Sequence, residues 1–494
     1  MPDGTRYWGC TMRRLHAHLA SVLGVTVAVA ALAVVPVAGA ARPVIGGGFG
    51  DTVVIKTNGT LWAAGLNASG QLGVGDKADR TAFTRVGSWS DWTGLSCGGY
   101  HCLGLRSDGS LWAWGDNRYG QLGMGVGDIT NRTMPTRVGV ASDWVAVSCA
   151  TFFSVALKSD GTLWAWGYNA EGELGLGDTW QREIPTPVGT DADWVAVSCG
   201  SFHMLALKSN GSLWSWGMNG YGELGRGYTS FPETTPQLVG RLTTWGSLGA
   251  AHFCSYALRT NGTLWSWGLN DYGQLGLGGT SLRTWPQQVG SDTTWATVSG
   301  STSWALGLKR NGTLWSWGYN AGQLGLDDTI DRHAPTRVGA SKSWAGIVTG
   351  AHHSLGYRTN GSLWAWGDDG YGAFGLGAGV QRTYVPTKTP IRLDVTKPVA
   401  RVLKNVSVKR AHPVKLGYLA TDELSPTLKI RIVIRTAGGR PVKTLQLGWK
   451  PAGRSFTCGF VCYLTKGVYR CSAYATDLAG NQQTRTVAKK LTVY

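Results

Sequence analysis

The chain is 494 residues long, with a net charge of +17, 73 glycines, 25 tryptophans and only 15% charged residues. Tryptophan outnumbers both tyrosine (17) and phenylalanine (10), so enough aromatic surface is present to offset chain entropy, and disorder is excluded. The glycines keep no three-residue period, which excludes collagen, and each would cost about 1 kcal/mol inside a helix, which argues against a helical repeat.

Residues 19–40 read LASVLGVTVAVAALAVVPVAGA, with Arg13 and Arg14 before them and Ala38-Gly39-Ala40 at the end. These are the basic, apolar and small-residue parts of a secretory signal peptide over 1–40, with Met12 as an alternative start. The apolar run is also long enough to span a bilayer, so cleavage and retention as an anchor both stay open. Export places the mature chain outside the cell or at its surface, in an oxidising compartment without nucleotides or chromatin.

A Leu-Trp pair then recurs with Trp at 62, 112, 164, 214, 265, 315 and 364, spaced by 49 to 52 residues. Each pair follows Asn-Gly or Asp-Gly, from Asn58-Gly59 to Asn360-Gly361. That dipeptide predicts a tight hairpin with positive φ at both central residues. In the strand after it, alternation puts both tryptophans of Leu213-Trp214-Ser215-Trp216 on one face. A Gly-x-x-Gly loop follows (GQLG, GELG or GAFG), then Pro-x-x-Val-Gly in most copies, then another Trp and a short strand. Four short strands per repeat, seven times over, predict a β-propeller over 43–395 and an all-β chain. The segment Val44 to Gly48 aligns with the first strand of later repeats, and repeat seven ends without a following strand. The first strand of the domain is therefore expected to complete the last blade.

The repeat, as in SFHMLALKSNGSLWSWGMNGYGELGRG at 201–227, resembles the regulator of chromosome condensation repeat, in all seven copies over roughly 44–394. The resemblance implies a seven-bladed propeller closed by strands from both ends. The best-known member of that family is a nuclear exchange factor for the small GTPase Ran, an activity that export would separate from any GTPase. Bacterial secreted relatives include a propeller-type β-lactamase inhibitor, a pure protein-binding role.

Residues 396–494 lose the tryptophan repeat and show short β runs that predict a small β-sandwich. The ending Ala475-Thr476-Asp477-Leu478-Ala479-Gly480-Asn481 resembles the closing strand and turn of bacterial immunoglobulin-like surface domains, which implies a spacer or adhesion module. The charge divides unevenly: residues 1–42 carry +3, 43–395 carry −1, and 396–494, with 18 basic and 3 acidic residues, carry +15. Lys429, Arg431 and Arg435 alternate with Leu428, Ile430, Ile432 and Ile434, giving one strand a core face and a cationic face. That face suits an anionic wall polymer or membrane surface, or serves only solubility and edge protection. No specific nucleic-acid partner is expected of the neutral propeller, and a monomer is expected.

Cys97, Cys149 and Cys199 occupy equivalent places in neighbouring repeats, too far apart to bond, and read as buried apolar side chains; Cys102 and Cys254 also fall in strands. A two-residue turn at Lys466-Gly467 would set Cys462 opposite Cys471 as a disulfide, with Cys458–Cys471 as the competing pair. No catalytic motif, cofactor loop or metal-spaced histidine set stands out, so no catalytic, cofactor or metal residue is assigned. Asp76/Arg80, Asp128/Arg132, Asp178/Arg182 and Asp328/Arg332 recur at one spacing and read as loop clamps.

Positions that change from copy to copy point to binding. Before the Gly-x-x-Gly loop stand Ser69, Tyr119, Glu171, Tyr221, Tyr272 and Tyr371, with a deletion in repeat six near Ala321. Tyrosine is enriched at binding hot spots, so Tyr119, Glu171, Tyr221, Tyr272 and Tyr371 form the candidate face for an extracellular protein or glycan; local packing is the alternative. A second varied set, Asp51, His101, Phe153, His203, Cys254, Trp304 and His353, forms either a recognition rim or gap-filling.

Overall fold

A computed structural model describes residues 42–422, 424–484 and 486–494; the signal segment expected at 1–40 and the alternative start at Met12 lie outside the described residues. Every strand and loop from 44 to 392 belongs to a ring of seven four-stranded antiparallel blades, each made of four consecutive strands. Blade 2 is representative: Trp92–Cys97, His101–Arg106, Leu111–Gly115 and Arg132–Arg137, here called strands a to d. Strand a is innermost and strand d outermost and most exposed.

The hairpin between b and c differs from the expected turn. Its loop is three residues long, with Gly109 N donating to Arg106 O (2.9 Å) and Arg106 N to Ser110 O (3.2 Å). Only Gly109 has positive φ (76°), so Asp108 stays right-handed and its carboxylate caps Ser110 N at 3.0 Å. This is a type I turn closed by a left-handed glycine, another standard hairpin. A Cβ on Gly109 would fall 2.2 Å from Ser142 O, so the glycine also admits the neighbouring loop.

Alternation in strand c works as expected, and the two tryptophans divide the labour. Trp114 is fully buried and its indole N–H donates to Gln71 O of the preceding blade at 2.9 Å. Trp166, Trp216, Trp267, Trp317 and Trp366 repeat the bond to Gln121, Glu173, Glu223, Gln274 and Gln323. Burying one indole removes roughly 200 Å² from water, about 5 kcal/mol before entropy. Blade 1 has Ala64 at this place, so the joint between blades 7 and 1 lacks the indole. The outer tryptophan, Trp112, is half-buried and lies under the Arg106 guanidinium, as Trp315 lies under Lys309 and Trp364 under Arg358.

The ring closes without strand exchange. Val44–Gly47 pairs with Asp51–Ile55 inside blade 1, and blade 7 has its own strand a, Trp344–Thr349. The expected completion of the last blade therefore does not occur. Only three residues join Val44–Gly47 to Asp51–Ile55, too short a connection to reach another blade, and the place in blade 7 is already filled. Blades 7 and 1 meet side by side, with Val44–Gly47 against Trp344–Thr349, Ala351 N donating to Gly48 O (3.1 Å) and Thr57 N to Leu393 O (3.0 Å).

The C-terminal domain packs a three-stranded sheet (Val399–Val402, Pro413–Thr421, Arg454–Val461) against a five-stranded one (Val406–Val408, Lys489–Val493, Gly467–Thr476, Thr427–Thr436, Pro441–Pro451). Leu416 and Tyr418 from one sheet meet Ile430, Ile432 and Ala473 from the other in a shared core. The expected Cys462–Cys471 disulfide is absent. Arg454–Val461 and Gly467–Thr476 belong to different sheets, so the hairpin that would have set the two cysteines opposite each other does not form. Cys458, Cys462 and Cys471 are all free thiols.

The propeller supplies a disulfide instead. Cys97 ends strand a of blade 2, Cys102 lies directly opposite on strand b with Cα atoms 4.1 Å apart, and the two are bonded. Cys149 and Cys199, free and buried, do behave as core side chains.

Candidate binding face

The loops between strands c and d emerge on one side of the ring. Each begins with a buried amide or acid. In blade 2, Asn117 Oδ1 accepts from Leu122 N at 2.9 Å and Gln121 Oε1 accepts from Tyr119 N at 2.9 Å. The same brace holds Tyr272 through Gln274 (2.9 Å), Glu171 through Glu173 (2.8 Å) and Tyr221 through Glu223 (2.7 Å). Asp76–Arg80 (2.5 Å), Asp178–Arg182 (2.6 Å), Asp328–Arg332 (2.6 Å) and Asp128–Arg132 clamp the far end of their loops, as their spacing predicts. The varied residue is thus presented on a fixed backbone.

Glu173 and Glu223 are fully buried. Burial pushes the Glu223 carboxyl up to about 8 and that of Glu173 well above the usual range. Near neutral pH both are uncharged stand-ins for the glutamine of other blades, held inside the framework.

Each candidate tyrosine reaches across a blade boundary to another aromatic ring. Tyr119 meets Phe152 (5.2 Å between centroids) and Tyr168 (5.1 Å); Tyr221 meets Phe253 (5.0 Å); Tyr272 meets Tyr319 (5.2 Å); Tyr371 meets Phe49 (6.3 Å). Tyr168, Phe202 and Phe253 continue the first of these contacts into an arc over blades 3 to 5. Tyr272 and Tyr371 remain 44% exposed, while Tyr119, Tyr221 and Glu171 are half-buried. At Tyr272 and Tyr371 packing and exposure coexist: the ring contacts the next blade and still meets solvent. The residues just before strand b (Tyr100, Phe152, Phe202, Phe253, His352) complete this belt, and comparing that column of the repeat would have found them. The belt breaks at blade 6, where Ser303 replaces the aromatic and the loop is a residue short near Ala321.

At the joint of blades 7 and 1 the face is concave. Phe49 stacks on Tyr100 (5.3 Å) and meets His352 edge-on (5.0 Å), and Tyr371, Asp368 and Gly50 complete the lining. Asp368 is paired with Arg382 at 2.8 Å, so aromatic walls and a fixed ion pair share one concavity.

The second varied set is no rim. Asp51, His101, Phe153, His203, Cys254, Trp304 and His353 are all buried, because their strand position faces the adjoining blade. His101 Nε2 meets Ser154 Oγ at 2.9 Å and His203 Nε2 meets Ser255 Oγ at 2.9 Å, stitching blade to blade. Burial drives the His101 imidazole down to about 4 and those of His203 and His353 to about 3.

Lys429 and Arg431 stand exposed on the outer face of the five-stranded sheet, with Arg435 half-buried on the same face. The register places Arg435 beside Arg470 and Arg470 beside Lys490, three cations in a row across three strands. Like charges directly opposite repel, so this row costs stability unless an anion sits over it. Arg431 also lies 5.1 Å from the ring centroid of Tyr474.

The comparisons agree with this architecture. Residues 128–412 match the RCC1-like domain, and residues 58–105 and 92–121 each match the regulator of chromosome condensation (RCC1) repeat. Among solved structures, yeast RCC1 (Prp20) bound to Kap60 is similar at 23% identity and TM-score 0.61, covering 67% of this chain and 83% of that one. Prp20p from Saccharomyces cerevisiae, described with its binding to Gsp1p and histones, gives 24%, 0.60, 67% and 85%. Human WBSCR16 gives 20%, 0.60, 67% and 93%. With a domain match spanning more than half of its length, the chain belongs to the RCC1-like domain family.

Proposed function

We propose that this is an exported, non-enzymatic recognition protein: the aromatic face of the propeller binds a protein or glycan, and the basic C-terminal domain holds the molecule to an anionic surface. The observation that carries the reading is the belt of tyrosines on the loops between strands c and d, each in contact with an aromatic of the next blade, with Tyr272 and Tyr371 also exposed to solvent. Rigid aromatic side chains give large contact area at small entropic cost, which is what a binding face needs. The solved relatives are described with protein partners, Kap60 for one and Gsp1p and histones for another, and this favours a protein over a glycan. Inhibition of an extracellular enzyme is one form such binding would take.

The test is to capture partners from spent medium on the full chain and on a variant with Tyr119, Tyr221, Tyr272 and Tyr371 all changed to Ala. Loss of the captured species in the variant is expected, with the variant still folding cooperatively despite some loss of stability from the four inter-blade ring contacts. Undiminished capture would refute the tyrosine face. For the tether, retention on heparin or wall polymer should weaken with salt, and more so in a Lys429→Ser, Arg431→Ser, Arg435→Ser variant. Retention indifferent to salt would refute it.

A further inference from the structure

Where the propeller meets the C-terminal domain, three acids from three separate loops converge. Asp394 follows the last propeller strand, Asp422 follows Pro413–Thr421, and Asp477 follows Gly467–Thr476. Each offers a carboxylate oxygen, and these oxygens all lie within 4.8 Å of one another. That is twice the ~2.4 Å from a calcium ion to an oxygen ligand. Asp394 and Asp477 are buried, at 0% and 1% exposure, while Asp422 is half-buried and leaves a path to solvent.

A second observation concerns Asp394 alone. Its Oδ1 accepts from Thr396 Oγ1 at 3.0 Å and from Thr57 Oγ1 at 3.4 Å. Its Oδ2 is buried and accepts no hydrogen bond. A bare buried oxygen beside two further carboxylates is costly unless a cation neutralises it. The remaining contacts are hydrogen bonds to neighbouring described residues. Asp422 Oδ1 accepts from Ser425 N (2.7 Å) and Leu424 N (3.1 Å), Asp477 accepts from Asn481 N and Nδ2 (both 2.8 Å), and Leu478 N donates to Ser425 Oγ (3.0 Å).

We infer that Asp394, Asp422 and Asp477 form a calcium site that fastens the C-terminal domain to the end of the propeller. The donors are all oxygen, as a hard cation requires, and they come from three loops rather than a rigid octahedral frame, which suits Ca²⁺ better than Mg²⁺. The inference does not depend on the aromatic face.

The experiment uses the full chain after chelator treatment, titrated with CaCl2 or MgCl2 by calorimetry and followed by thermal unfolding. Uptake of one Ca²⁺ per chain is expected, with affinity of about 10⁻⁴–10⁻³ M or tighter. The unfolding midpoint should rise with Ca²⁺ and respond less to Mg²⁺. Asp394→Asn and Asp422→Asn should each weaken binding at least about tenfold. Metal-free Asp394→Asn should unfold at or above the metal-free parent, since the substitution relieves repulsion; a merely structural aspartate would give a fall. If Asp394→Asn does not fold, the half-exposed Asp422→Asn decides. No Ca²⁺ uptake by the folded parent, or uptake unchanged in the variants, overturns the site, and an equal response to Mg²⁺ overturns its assignment to calcium.

Discussion

Replacing Glu223 by Gln should stabilise the protein, and by an amount that grows with pH. Blades 1, 2, 5 and 6 carry Gln71, Gln121, Gln274 and Gln323 at this place, so the framework already accepts the amide. Glu223 Oε2 accepts from Tyr221 N, while Oε1 is buried without a partner. The carboxyl titrates near 4.5 when unfolded and at about 8 when folded. A folded-state value raised in this way means the native state keeps a proton that the unfolded state releases. The group therefore costs nothing below about pH 4.5, and stability is lost as pH rises from there toward 8. At about 1.36 kcal/mol per pH unit, the cost at pH 7 is roughly 3 kcal/mol, levelling near 5 above pH 8. Gln carries no such cost, only a constant offset from its second amide hydrogen, which in Gln71 and Gln274 is likewise unpartnered. Urea unfolding of parent and Glu223→Gln near pH 5, 6, 7 and 8 measures the difference. It should be small near pH 5 and widen steadily. A difference constant across the series, or a variant weaker at every pH, would refute the account of Glu223 as a buried neutral acid.

Other outcomes follow from the same geometry. His101, His203, His252 and His353, with folded values near 3 to 4 against an ordinary 6.5, are neutral inside and protonate on unfolding, so each contributes a stability that falls as pH drops below about 6.5, opposite in sign to the buried acids. The urea stability of a His203→Gln variant relative to the parent should therefore improve as pH falls from about 6.5 to about 4.5, and a difference that stays constant over that range would contradict this. Trp216→Phe removes the donor to Glu173 O and should cost about 2–3 kcal/mol in the same assay. Peptide mapping without reductant should return Cys97 linked to Cys102 and alkylate Cys458, Cys462 and Cys471. Removing the bond should cost only about 2 kcal/mol, because the closed loop is short.

The seven blades were legible because every repeat carries its own turn, its own tryptophans and its own glycine loop, so local chemistry and global fold agree. The tyrosine positions were legible as variation against that constant frame. What was misread depends on pairing. Aligning Val44 to Gly48 with later repeats identifies its role as a first strand but not which neighbour it bonds. Comparing Cys97 only with its equivalents in other blades hid Cys102, which faces it across one hairpin. In the C-terminal domain the strand Arg454–Val461 went unrecognised, and with it the change of sheet between Cys462 and Cys471 that replaces the expected hairpin. Asp394, Asp422 and Asp477 lie too far apart in the chain for any spacing rule to join them.

The joint between blades 7 and 1 is where the two ends of the propeller chain meet, with no indole bridge and no shared strand. Opening the ring at any other boundary also breaks a tryptophan bond, so this boundary is the one that parts first. A ligand seated across Phe49, His352 and Tyr371 touches both sides of it. Its binding energy would then be spent partly as a latch, and occupancy of the face and resistance of the whole ring to unravelling would rise and fall together.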